Sequence, residues 1–173
     1  MQSCHLELEK QGNKAQLGWA VLRIRTGGIQ RVCGKYNSRP LDPSGTKKMQ
    51  TSFTEHGIQT SHDPPLTIGV DPTTVNMDTI TTDPKLKIDS PLLHFHLDDK
   101  KIVEYLLLAG QHRFVAAEQY LAKLDEQLEG VQSKLENGAD GKARDGLKSK
   151  EAELTKDIQF GSRWWVKVYD SGE

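Results

Sequence analysis

The sequence predicts a mixed α/β domain (α+β in the broad sense), a small mixed sheet flanked by helices, and three observations predict it. An apolar run at residues 105–109 stops at Gly110, and an alanine-rich helical pattern begins a few residues later. Leu121, Leu124, Leu128, Val131 and Leu135 then recur at steps of three and four, the period of one helix face. Short apolar or alternating runs at residues 19–25, 66–70 and 164–170 have the length and composition of strands. At 173 residues the chain is read as one domain spanning residues 1–173, long enough to bury a core.

The elements follow in order. Residues 1–16 are polar, with at most a short helix at residues 6–10. Residues 19–25 alternate, so Arg23 and Arg25 share a face. Thr26-Gly27-Gly28 reads as a turn, with residues 29–32 pairing back as a hairpin arm. A first helix is predicted over residues 43–56: Asp42 is a good N-cap, Pro43 suits the first helical position, and Gly57 suits the C-terminal cap. Its apolar stripe is thin, Met49 and Phe53 with Ile58 folding back under the cap. Leu66 to Val70 reads as a short buried strand. Residues 71–101 carry three prolines and no sustained period, which predicts an irregular, mobile loop. A long helix is expected from about Arg113, broken at Asn137-Gly138-Ala139-Asp140-Gly141. A second follows through Leu147, Ala152, Leu154 and Ile158, so residues 118–157 form an antiparallel helical hairpin. Trp164 and Trp165 alternate across the last strand, which places one of them in the core and the other under the helical hairpin or at a contact surface.

Composition narrows the function classes. Lysine and arginine number 23 against 24 acidic residues, a formal charge of -1, so any grip on a nucleic-acid backbone needs a local patch. Cys4 and Cys33 stand far apart without metal-ligand spacing and form no disulfide framework. No stretch has the apolar length of a membrane span, and the first residues lack a secretory pattern. The reading is an intracellular protein, cytoplasmic or nuclear, with no membrane partner.

The candidate chemistry lies at the strand-to-helix turn. Backbone N–H groups at a helix start carry partial positive charge and suit an anion. Gly110 lets the backbone approach a phosphate closely, and the Arg113 guanidinium can fork two phosphate oxygens. An arginine at the positive end of a helix is mildly unfavourable by itself, and a bound anion would relieve this. The bland readings are an exposed arginine and a histidine, His112, packed in the turn. His94-Phe95-His96 sets two imidazoles on one face, but without a cysteine or carboxylate at metal-site spacing no metal site is assigned.

Gly110-Gln111-His112-Arg113-Phe114 followed by Ala116-Ala117 resembles the signature of the ParB/sulfiredoxin superfamily, with the Gly-Gln-His-Arg form of DndB-like proteins. Upstream, Arg39-Pro40-Leu41-Asp42-Pro43 leads to a helix closing on Gly57-Ile58-Gln59, and Pro65-Leu66 opens a strand. Downstream, residues 164–170 resemble the family's next strand. The resemblance covers residues 39–170 and implies a ParB/sulfiredoxin-like fold with two insertions, a loop at 71–101 and the helical hairpin.

The resemblance also implies a nucleotide or phosphate-ester site made by Gly110, Gln111, His112 and Arg113, with Arg39 closing from the upstream box and Ser52 near the nucleotide. Lys47 and Lys48 would add charge. The expected ligand is a nucleoside triphosphate of CTP or ATP type, with magnesium as the accompanying ion and weak hydrolysis as the activity. Gln111 stands where ParB proteins have a carboxylate, which weakens any metal-dependent step, and where sulfiredoxins have their cysteine. A glutamine is no nucleophile, so sulfiredoxin chemistry is excluded. Gly45 likewise stands where sulfiredoxins have a lysine. No catalytic residue is assigned. Two readings compete: a DNA-binding or nuclease-like relative of ParB and DndB, and a degenerate domain whose helical hairpin binds a protein partner. The third box of ParB proteins does not appear after residue 170, so a sliding clamp is not inferred.

Overall fold

The computed structural model describes residues 15–25, 29–32, 40–58, 65–85, 90–97, 103–138 and 140–172. Cys4, Cys33, Arg39 and the expected turn at 26–28 lie outside them. The described residues form a mixed α/β structure, a five-stranded mixed sheet and three α-helices. They fall into two compact units, one within Met1–Pro40, Ser61–Gln111 and Trp164–Glu173, the other within Leu41–Thr60 and His112–Arg163.

The first unit is the sheet. Its strands are β1 (Gln16–Arg23), β2 (Ile29–Val32), β3 (Leu66–Val70), β4 (Val103–Ala109) and β5 (Arg163–Asp170), in the spatial order β1-β5-β3-β4-β2. The central strand β3 runs parallel to β5 and antiparallel to β4, with Ile68 opposite both Val168 and Leu107. These three side chains are fully buried, as are Leu66, Val70 and Val166. Leu66, Ile68 and Val70 alternate along β3 and so share one buried face, while Thr67 on the other face is half-buried. On β4, Val103, Tyr105 and Leu107 are buried while Glu104 is exposed and Leu106 and Leu108 are half-buried, the alternation of a strand with one better-covered face. Trp164 and Trp165 alternate across β5 and both are buried. Trp165 is covered because it stacks on Trp19 of β1, with ring centroids 5.3 Å apart.

Two expectations for this unit are corrected. β2 is not the return arm of a hairpin with β1. It pairs in parallel with β4, from Ile29 opposite Val103 to Val32 opposite Leu106, at the other edge of the sheet. Nor are the described residues 71–85 and 90–97 without regular structure. Pro72–Thr74 and Met77–Thr79 are 3-10 turns opened by the side chains of Asp71 and Asn76. Further on, the segment bonds to the edge of β1: Trp19 and Thr81 exchange both backbone bonds at 2.7 Å, and Val21 bonds Pro91 and Leu93. The backbone groups of Trp19 and Val21, which would otherwise lie on a bare sheet edge, are thereby satisfied.

The second unit is helical: α1 (Pro43–His56), α2 (Gln111–Glu136, which continues from the sheet unit through its first residue) and α3 (Gly141–Gly161). The α1 caps are those the sequence predicts. Asp42 accepts from the backbone N–H groups of Ser44 and Gly45, and Gly57, at φ 71°, donates its N–H to Phe53. Phe53 is buried and meets Tyr120 of α2, and Gln50 bonds Gln119, so α1 and α2 run side by side in the same direction.

α2 and α3 form an antiparallel pair. Gly161 lies against Leu121, where a Cβ would come within 3.2 Å of the leucine methyl, and Gln132 donates to Glu151 at 3.1 Å. Extended along both helices, that offset predicts Leu124 opposite Ile158, Leu128 opposite Leu154 and Leu135 opposite Leu147, all of them buried or half-buried. Both helices keep alternating steps of three and four, the seam of a two-stranded coiled coil. The expected stripe through Ala152 is corrected: Ala152 is exposed, and the half-buried Glu151 takes the seam position opposite Val131.

Candidate functional site

The strand-to-helix turn is built by local chemistry. Tyr105 and Leu107 anchor the end of β4, and Gly110 then adopts φ 93°, a conformation that costs other residues a steric clash. α2 begins at Gln111, slightly earlier than the sequence pattern predicts. Phe114, Ala116 and Ala117 are completely buried and hold its first turn in place, so Gln111, His112 and Arg113 sit half-buried at the helix start. That turn carries no acidic residue. A helix start with a cationic side chain and no carboxylate of its own has the charge pattern of an anion site.

His112 is tied to α1. Its Nε2 accepts the backbone N–H of Asp42 at 2.8 Å, a contact spanning 70 residues of sequence. The sequence explains why this bond is needed. An N-cap residue commonly directs its own N–H to a glutamate or glutamine at the third helical position, but that position is Gly45. With no local acceptor, the imidazole from α2 supplies one. The Asp42 carboxyl is held below its ordinary range chiefly by the Ser44 hydroxyl, then by the Ser44 N–H. Desolvation opposes this, and the Gly45 N–H and the nearby His112 add smaller lowering effects. Sequence reading recognised Asp42 only as a cap. The signal that it needed a distant partner was the glycine three residues on.

The other expected site residues are placed as follows. Ser52 is exposed on α1, ten residues beyond the Asp42 cap and so about 15 Å along the helix axis. The structure does not bring it to the turn. Lys47 and Lys48 are exposed on the first half of α1. Arg39 lies outside the described residues. His94 and His96 are both exposed, their backbones bonded to Asn76 and Thr74. No cluster of three or more histidine, cysteine or acidic side chains able to hold a metal exists among the described residues.

Chemically, this arrangement can hold an anion by backbone dipole and guanidinium charge. Of Gln111, His112 and Arg113 only the His112 imidazole is a nucleophile, and its Nε2 is engaged with the Asp42 N–H. No described helix is long and apolar enough to cross a membrane. Comparison of the chain with protein-family models, with curated proteins and with solved structures finds no match to any of them.

Proposed function

We propose that the turn at residues 110–113 binds the phosphates of a nucleotide, a nucleoside triphosphate of CTP or ATP type, in a fold of the ParB/sulfiredoxin kind. The observation that carries this reading is Gly110 at φ 93° between β4 and the acid-free first turn of α2, with Arg113 in that turn. Supporting the fold assignment, β3 and β4 are neighbours and the Gly-Gln-His-Arg run lies where a strand passes into a helix. Residues 71–101 and the hairpin at 118–157 are then insertions into that fold. Gly110 gives the backbone close approach, Arg113 forks the phosphate oxygens, and magnesium accompanies the triphosphate. Gln111 lends a neutral amide where a carboxylate would hold the metal more firmly, so hydrolysis is weak.

The test is isothermal titration calorimetry of the whole chain with CTP and ATP, each with and without magnesium. Saturable binding that Arg113→Ala removes supports the proposal. No heat from either nucleotide at millimolar concentration defeats it. A DNA mobility shift, read for salt dependence, then examines the DNA-binding or nuclease-like alternative. The protein-interaction reading has an observation of its own, Phe160, which is 61% exposed near the end of α3.

A further inference from the structure

We propose that His112 is a proton-sensitive latch joining the starts of α1 and α2. The inference does not depend on phosphate binding. A neutral imidazole has one bare ring nitrogen and one N–H. Because Nε2 accepts the Asp42 N–H at 2.8 Å, the bare nitrogen is Nε2 and the proton resides on Nδ1. Protonation places a second N–H at Nε2, pointing at another N–H donor, and the bond is lost. Gly45 provides no side chain to take over, so the N-cap amide of α1 has no local substitute acceptor.

The charged groups set beside the ring give the protonated state a destination. From α1 the Asp42 carboxylate faces the ring, and on α2 Arg113 follows it in sequence. That carboxylate is engaged with Ser44 and Gly45. A charged His112 attracts it and competes with those cap bonds. The latch therefore exchanges partners, from a backbone N–H when neutral to a carboxylate when charged, and loosens the first turn of α1 as the pH falls.

Nuclear magnetic resonance of the nitrogen-labelled whole chain tests this. At about pH 8 the imidazole nitrogens of His112 should report a bare Nε2 and a protonated Nδ1. On acidification the Asp42 backbone amide should shift with the same midpoint as the imidazole, and the Ser44 and Gly45 amides should follow. In His112→Asn the Asp42 amide should stay flat through that range. A proton on Nε2 at the alkaline end overturns the proposal. So does a wild-type Asp42 amide that moves only with carboxyl titration. Both of these readouts need the wild-type chain alone, so they decide the matter even if the variant fails to fold.

Discussion

Trp19 of β1 and Trp165 of β5 lie face to face, ring planes within 7° and centroids 5.3 Å apart, and Lys167 Nζ stands 5.7 Å from the Trp19 centroid. The pair joins two neighbouring strands on one face of the sheet, and the ammonium also lies 5.1 Å from the Tyr169 ring. Trp165→Ala is expected to destabilise the protein by about 3–5 kcal/mol, the usual result of emptying a buried tryptophan site. Lys167→Gln should cost less, about 0.5–2 kcal/mol for a half-buried cation over a ring. Urea unfolding of both variants measures the difference, and equal losses would contradict this account of the stack.

Gly18 sits beside the bridge between β1 and Thr81. At φ 148°, a Cβ there would come within 2.5 Å of the Thr81 carbonyl oxygen, which is backbone and cannot step aside cheaply. Gly18→Ala should cost about 1–3 kcal/mol. Hydrogen exchange at the Trp19 and Thr81 amides should accelerate more than at Ile68 in the centre of the sheet. Unchanged exchange at that bridge would show that the close approach is not needed.

Arg113→Ala should reduce nucleotide affinity at least tenfold, since a charge-assisted hydrogen bond is worth about 1.5–3 kcal/mol. Gln111→Glu should make binding more dependent on magnesium, because a carboxylate is a better metal partner than an amide. Calorimetry across a magnesium series reads both effects. A loss in Gln111→Glu that magnesium does not restore would place the metal elsewhere.

The Asp42 carboxyl is depressed in the folded protein, mainly by Ser44. A depressed carboxyl contributes stability that is present above its unfolded value, about pH 4, and is lost as the pH falls through the lower folded value. Asp42→Asn keeps an N-cap side chain yet cannot titrate, so its acid-side stability curve should be flatter than that of wild type below about pH 4. Melting temperatures recorded from neutral to acid pH give the comparison. Parallel curves would mean that Asp42 adds nothing to acid sensitivity.

Glu151 occupies a seam position of the α2–α3 pair, opposite Val131 and bonded by Gln132. A polar residue in a coiled-coil seam costs stability and helps set register. Glu151→Leu should raise the stability of the hairpin by about 1 kcal/mol, from added apolar burial less the lost bond to Gln132. Hydrogen exchange across residues 121–135 is the readout, and faster exchange would assign Glu151 a stabilising role.

Features governed by neighbours in the chain were legible in the sequence. Residues 105–117 announce a strand, a turn and a helix because alternation, a glycine and an alanine-rich run act over a few residues. The Asp42, Pro43 and Gly57 signals mark both ends of α1 for the same reason, each acting on backbone groups within one turn.

Tertiary structure alone decided the partners. β2 is four residues, half of them polar, and nothing in those residues distinguishes pairing back on β1 from lying parallel to β4. The bonds of Thr81, Pro91 and Leu93 to β1 are backbone to backbone, and side-chain patterns leave no trace of them. On α3, Ala152 and Glu151 are adjacent, and the phase of the buried stripe is chosen by contact with α2. His112 and Asp42 stand 70 residues apart, and each satisfies a local rule as a turn residue or a cap. Only folding brings the bare imidazole nitrogen to the one cap amide whose usual local acceptor position is a glycine. Local rules specify what each segment can form, whereas a hydrogen bond between distant segments depends on where the packed core puts them.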